Sequence, residues 1–149
     1  MKILLTSTSF QDTPGQHMKK LQSVDFKIDM LRGPLTADQL LPIIADYDGI
    51  ICGDDEYNEE VLNEGKSGSL KVISKYGIGL DKIDLKTAKK LDIKIFNTPG
   101  VNHQAVAEHA FALLPTYEKN IIRENEIVQK NKWKRLIGRE LYGKSVGIL

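Results

Sequence analysis

The chain has 149 residues, of which 41% are hydrophobic and 28% are charged, as in an ordinary globular protein. The formal net charge of +1 gives no bulk electrostatic case for a nucleic-acid or membrane partner. The single cysteine, Cys52, excludes an internal disulfide, and no apolar run approaches the ~20 residues that span a bilayer. We therefore expect a cytoplasmic protein that contacts neither nucleic acid nor membrane.

The first part of the chain alternates between short apolar runs and helical patterns. The predicted strands cover residues 2–8, 26–31, 47–52, 70–74 and 94–96. Helices are predicted over 14–21 and 58–65, after Asp84, and from Thr36 through the apolar positions up to Ile44. This alternation implies βαβ units, and it predicts an α/β fold with a flavodoxin-like, doubly wound parallel sheet.

Loops that follow the predicted strands should meet at one edge of this sheet. Ligands of doubly wound sheets bind beyond the carboxyl ends of the strands. The loops at that edge are residues 7–8, 53–54, 76–79 and 97–100. The last of them reads Asn-Thr-Pro-Gly, a turn sequence, and we expect an interdomain hinge there.

The pattern changes after Gly100. Residues 103–130 carry apolar side chains at helical spacing, and Asn102 is the predicted N-cap of that long helix. Pro115 lies inside it and should kink or break it. Residues 144–149 begin like a buried strand.

The main candidate site is the loop Gly77-Ile78-Gly79, directly after the fourth predicted strand. Two interpretations stay open for it. It is either a strand-to-helix turn that uses two glycines, or a nest of backbone N–H groups for an anion such as a carboxylate, supported by Lys75 as a point charge. It is not a dinucleotide-binding fingerprint, because Lys82 stands where that motif has its last glycine.

Two acidic pairs are weaker candidates. Asp54 and Asp55 follow the third strand as in a phospho-receiver domain, but the first strand ends in Thr-Ser-Thr-Ser rather than in an acidic pair that could hold Mg²⁺. Asp81 and Asp84 are better explained as a turn residue and a helix cap than as paired catalytic carboxylates.

Neither a metal site nor a nucleic-acid site is expected elsewhere. The three histidines, His17, His103 and His109, form no i, i+4 pair, and the chain has no His-Glu-x-x-His motif. Residues 130–144 are rich in lysine and arginine around Trp133, which is typical of a solvated segment.

Three separated stretches carry a resemblance to a known family. Residues 71–84 (KVISKYGIGLDKID), 93–108 (IKIFNTPGVNHQAVAE) and 138–149 (GRELYGKSVGIL) resemble the D-isomer-specific 2-hydroxyacid dehydrogenases, which include D-3-phosphoglycerate dehydrogenase. The resemblance implies a flavodoxin-like substrate domain over 1–99. It also implies that 100–149 hold the first long helix and first strand of an NAD-binding Rossmann domain that this chain leaves incomplete.

The resemblance also assigns roles to individual residues. Backbone amides matching Ile78 and Gly79 would hold the substrate carboxylate, with the nicotinamide near Ile78. The residue matching Asn102 would lie at the substrate cleft, and the one matching Val106 would pack near the nicotinamide ring. Together with Lys75, these are the expected substrate-binding and cofactor-binding residues.

Departures from the family pattern limit what this chain can do alone. The Gly-x-Gly-x-x-Gly turn and the family's catalytic arginine, glutamate and histidine have no counterpart here, so no catalytic residue is expected in this chain. Gly53 stands where phosphoglycerate-specific members have a phosphate-contacting arginine, which weakens the case for a phosphorylated substrate. Lys75 replaces a commoner arginine.

We therefore expect the N-terminal part of an NAD-dependent D-2-hydroxyacid dehydrogenase, an oxidoreductase that transfers hydride between NAD(H) and a small 2-hydroxy or 2-oxo acid. The chain alone should be inactive, and the protein should be a homodimer. The alternative is a non-enzymatic α/β binding or assembly module, in which the long helix is the partner surface.

Overall fold

The computed structural model describes residues 1–148, and the chain divides into two compact units, Met1–Pro99 and Gly100–Leu149. The first unit is a five-stranded sheet in which every neighbouring pair of strands is parallel. Its strands are β1 (Lys2–Leu5), β2 (Lys27–Met30), β3 (Gly49–Cys52), β4 (Val72–Lys75) and β5 (Lys94–Phe96). Their spatial order is β2-β1-β3-β4-β5, which confirms the predicted flavodoxin-like sheet.

The core lies on the inner strands of this sheet. Leu4, Ile50 and Ile73 have at most 2% of their surface exposed. Such strands are covered on both faces, which is why they appear in sequence as continuous apolar runs rather than alternating ones. The alternation over 26–31 predicts one buried face for edge strand β2, but β2 has no buried residue: Ile28 is partly buried and Met30 is exposed.

Five helices accompany the strands of this unit. They are α1 (Thr8–Asp12), α2 (Gln16–Gln22), α3 (Ala37–Leu40), α4 (Glu59–Ser67) and α5 (Leu85–Lys90). The side chain of Asn58 accepts a hydrogen bond from the N–H of Val61 and so caps α4. The carboxylate of Asp84 caps α5 in the same way, and Thr36 with Gln39 forms a capping box before α3.

Two predictions about these elements were wrong. The strand expected over 2–8 ends at Leu5, and Ser7 instead caps a helix that begins at Thr8, since its hydroxyl accepts from the N–H of Phe10. The helix expected from Thr36 to Ile44 ends at Leu40, and a separate 3-10 turn follows at Ile44–Asp46. Pro42 explains the interruption, because proline lacks the N–H that would continue the helical hydrogen bonds.

The second unit contains two helices, α6 (His103–Glu118) and α7 (Ile121–Gln129). A kink or a break was expected at Pro115; the residue lies inside α6, so the break was wrong, and the kink stays a prediction. The helix ends a turn later, where Asn120 has a left-handed φ of 56°, a conformation that asparagine tolerates better than most residues.

Two further expectations for this unit were wrong. Asn102 precedes α6 but makes no side-chain capping hydrogen bond, and its φ of −124° and ψ of 10° are not the extended geometry of a capping residue. No strand forms over 144–148, because no other strand in this unit offers a partner, and Leu149 lies outside the described residues. No helix in the described part of the chain is both long and apolar enough to cross a membrane.

Candidate carboxylate-binding site

The glycine loop begins where β4 leaves the sheet. The N–H of Tyr76 still donates to the carbonyl of Cys52 (2.9 Å), which extends the pairing with β3 by one residue. The backbone then turns at Gly77, whose φ is 157°, and the side chain of Ile78 is 38% exposed. A Cβ on Gly77 would lie 3.1 Å from Cε of Lys75, so the loop passes closely over that side chain.

Residues just after β5 hold the carbonyl oxygens of this loop. The register pairs Ser74 with Phe96, the last residue of β5, so the residues that follow β5 run beside the loop. The N–H and the hydroxyl of Thr98 donate to the carbonyl of Gly77 (2.9 and 3.1 Å), and Nδ2 of Asn97 donates to the carbonyl of Ile78 (2.8 Å). Two consecutive peptide carbonyls are therefore turned toward the end of β5.

This anchoring turns two N–H groups away from the end of β5. In a planar trans peptide the C=O and the following N–H point in opposite directions. Holding the carbonyls of Gly77 and Ile78 therefore directs the N–H groups of Ile78 and Gly79 to the other side. Within residues 1–148, the N–H groups of Gly77, Ile78 and Gly79 donate no hydrogen bond. Adjacent backbone N–H groups without an acceptor are a donor set that can bind an anion.

Lys75 is placed differently from the sequence expectation. Its side chain is only 7% exposed, its Nζ donates to the carbonyl of Gly53 (2.6 Å), and it forms an ion pair with the carboxylate of Asp54. The ammonium thus lies beneath the glycine loop with its charge already compensated. Lys75 is not a free point charge for a bound anion.

A buried acidic network supports the same edge of the sheet. The carboxylate of Asp55, 1% exposed, accepts hydrogen bonds from the hydroxyl of Thr6, the N–H of Leu35 (2.7 Å) and the hydroxyl of Tyr57 (3.2 Å). Burial raises the pKa of Tyr57 well above its usual value. The Asp-Asp sequence signalled an acid at this edge, but only the structure shows that Asp55 is internal and Asp54 external.

The remaining candidates have structural roles. Asp84 caps α5, as predicted, and the hydrogen bond from the N–H of Thr87 is the main cause of its lowered pKa. Burial raises the pKa of Cys52 to about 12, so the thiol stays protonated and is a poor nucleophile. Among residues 1–148 no group of three or more acidic, histidine or cysteine side chains is placed to hold a metal ion.

Some expected residues lie outside the glycine loop, and two contributors to the loop were missed. Asn102 and Val106 are exposed in the second unit, and the functions expected for them stay predictions. The sequence analysis treated Asn97 and Thr98 only as part of a turn. Their position directly after β5, the neighbour of β4, is the signal that could have identified them as partners of the loop.

Comparison with known proteins identifies the family of the chain. The model of the D-isomer specific 2-hydroxyacid dehydrogenase catalytic domain matches residues 3–137. A hydroxypyruvate reductase from Thermotoga maritima is 36% identical over 118 residues, which cover 77% of this chain and 38% of that protein. A D-3-phosphoglycerate dehydrogenase from Synechocystis sp. is 30% identical over 152 residues, covering 100% of this chain and 26% of that protein.

Solved structures give the same result. A protein of Thermus thermophilus superimposes with a TM-score of 0.78 and 29% identity, covering 92% of this chain and 43% of that one. The NAD⁺-bound 3-phosphoglycerate dehydrogenase of Entamoeba histolytica superimposes with a TM-score of 0.70 and 25% identity, covering 95% and 43%. The chain spans less than half the length of each of these four relatives. It belongs to the D-isomer-specific 2-hydroxyacid dehydrogenase family.

Proposed function

We propose that this chain supplies the substrate-carboxylate site of an NAD-dependent D-2-hydroxyacid dehydrogenase. The whole enzyme would interconvert a small 2-hydroxy acid and its 2-oxo acid. The backbone N–H groups of Ile78 and Gly79 would bind the carboxylate and so orient the adjacent C2 atom. The cytoplasmic location and the homodimer expected from the sequence belong to the same proposal.

One observation carries this proposal. Within residues 1–148, the N–H groups of Ile78 and Gly79 have no acceptor, while the carbonyls of the same two peptide groups are held by Asn97 and Thr98. A donor pair held in this way needs little reorganisation to bind a carboxylate. Hydrogen bonds from N–H groups to a charged carboxylate are also stronger than those between neutral groups. The same residues lie at the carboxyl edge of a parallel sheet, where ligands of this architecture bind.

NAD dependence is proposed for the whole enzyme rather than for these residues. It is supported by the family and by the bound NAD⁺ of the Entamoeba histolytica relative. The sequence contains no Gly-x-Gly-x-x-Gly, and residues 100–148 form no strand-to-helix turn that could hold a pyrophosphate. The described residues therefore do not fit the dinucleotide, and what they can supply is the binding and orientation of the acid.

Titration of the ¹⁵N-labelled chain with D-lactate tests the carboxylate site. We expect saturable shifts of the amide resonances of Ile78 and Gly79. Asn97→Ala should weaken binding about twofold to tenfold, because one neutral hydrogen bond contributes ~0.5–1.5 kcal/mol to holding the loop. The matched control is Asn63→Ala, which removes an exposed side-chain bond to the Glu59 carbonyl on α4.

Two outcomes would contradict the proposal. In the first, D-lactate does not shift the amide resonances of Ile78 and Gly79 at concentrations that shift surface lysine resonances. In the second, Asn63→Ala weakens D-lactate binding as much as Asn97→Ala does, so that the anchoring of the loop has no link to binding.

A further inference from the structure

The ion pair beneath the glycine loop bears on which acids the site accepts. Lys75 at the end of β4 has a side chain that is 7% exposed, whereas that of Asp54 is 83% exposed. The register pairs Cys52 of β3 with Lys75, so the residues after β3 lie directly beside the lysine. The carboxylate of Asp54 therefore covers the ammonium on the side that faces solvent.

The pair lies within reach of a ligand on the loop. A Cβ on Gly77 would stand 4.0 Å from Nζ of Lys75, which places the ammonium just below the first glycine. No other cation forms an ion pair with Asp54 in the described residues. The charges of Lys75 and Asp54 therefore cancel, and the exposed member of the pair is the negative carboxylate of Asp54.

From this arrangement we propose that Asp54 is a specificity-determining residue that makes the site select singly charged 2-hydroxy acids over acids carrying a second anionic group. The inference rests on the carboxylate site proposed above and narrows its substrate class. A second anion, such as a phosphate, would gain nothing from the compensated Lys75 and would be repelled by the exposed carboxylate of Asp54. Without the Asp54 charge, the same lysine would attract it.

The magnitude follows from Coulomb's law. A unit charge ~10 Å from a charge on the ligand, at an effective dielectric constant between about 25 and 80, changes the dissociation constant of the ligand roughly twofold to tenfold. The effect should be largest at low ionic strength, because the Debye length is about 10 Å at 0.1 M salt. Of two acids that differ only by an added anionic group, the acid that carries this group should respond more strongly to removal of the Asp54 charge.

D-Glycerate and 3-phospho-D-glycerate are suitable probes because they differ only in the phosphate group. Both would be titrated into the full 149-residue chain at low salt, with the amide shifts of Ile78 and Gly79 as the readout. In the unsubstituted chain, 3-phosphoglycerate should bind no more tightly than glycerate. In Asp54→Asn, which keeps an oxygen acceptor for Lys75 but removes the charge, 3-phosphoglycerate should bind roughly two to ten times more tightly and glycerate should change less.

Two further variants separate the ion pair from general charge effects. Asp92→Asn removes the same charge just before β5, at the opposite edge of the sheet, where φ is 52° and asparagine is well tolerated. It should leave the ratio of the two dissociation constants unchanged. Adding Lys75→Gln to Asp54→Asn should abolish the gain, and amide dispersion would verify that each variant is folded.

The inference is overturned if the unsubstituted chain prefers 3-phosphoglycerate, if Asp54→Asn tightens both acids equally, or if Asp92→Asn reproduces the gain. Those outcomes would leave the carboxylate site intact, because glycerate would still shift the loop amides. If neither acid shifts those amides in any variant, the carboxylate site fails and the inference fails with it.

Discussion

At the scale of single residues, Asp55 shows how a polar side chain organises the candidate site. Its carboxylate joins Thr6 after β1, Leu35 after β2 and Tyr57 after β3. A Cβ on Gly33 would lie 2.5 Å from Oδ1 of Asp55, so the close approach of this loop requires glycine. The network therefore holds together three of the segments that follow the carboxyl ends of the strands.

Replacement of Asp55 by asparagine should destabilise the protein. Asparagine keeps the shape but turns an amide donor toward groups that are themselves donors, which leaves buried hydrogen bonds unmade. We expect the free energy of unfolding to fall by about 2–4 kcal/mol in urea denaturation. Asp25→Asn, at an exposed position, is the control and should change stability by less than ~0.5 kcal/mol. Equal effects of the two substitutions would contradict this account.

At the scale of elements, local sequence signals placed most helices but missed their interruptions. Asn58 and Asp84 marked helix starts because their side chains accept backbone N–H groups regardless of what the helix packs against. Pro42 shortened the third helix, whereas Pro115 did not break α6. The same residue type thus had different consequences, since proline removes one hydrogen bond but its surroundings decide whether the helix continues.

The cap of α5 makes stability depend on pH. The pKa of Asp84 is lowered below its ordinary value of 3.8, chiefly by the N–H of Thr87. A depressed carboxyl pKa contributes stability that is present above the unfolded value and is lost as pH falls through the folded value. We therefore expect part of the loss of stability below about pH 4 to come from Asp84.

Asp84→Asn tests the contribution of Asp84 to the pH dependence of stability, because asparagine can cap a helix but does not titrate. Urea midpoints measured from pH 7 down to pH 2 should fall less steeply for Asp84→Asn than for the unsubstituted chain. Identical pH profiles for the two proteins would show that the cap does not contribute in this range.

At the scale of the whole molecule, the two units differ in how well they bury their apolar side chains. The first unit has a continuous core built on β1, β3 and β4. Among the described residues 100–148 no residue is buried, and large side chains such as Phe111 (68%) and Trp133 (87%) are exposed. Surfaces of this kind mark contacts with other protein.

The chain by itself should therefore self-associate. Light scattering at increasing concentration should give a molar mass above that of one chain, because association removes exposed apolar surface from water. Leu113→Glu on α6 should lower that mass. Met30→Glu on β2 is the matched control, since both positions are 57% exposed, and it should not. A monomer at all concentrations would contradict the prediction.

The sequence alone determined the fold class, the family and the position of the glycine loop. Continuous apolar runs and helix caps are local properties, and the two glycines at 77 and 79 follow directly from a strand. The lack of activity expected of this chain alone stays a prediction.

Only the tertiary structure decided which side chains support the glycine loop. Asn97 and Thr98 reach it from a neighbouring strand, Asp54 compensates Lys75, and Asp55 is internal. These are contacts between residues about twenty or more positions apart in the chain, and nothing in local spacing specifies them. They depend on strand order and register, which form only when the sheet assembles.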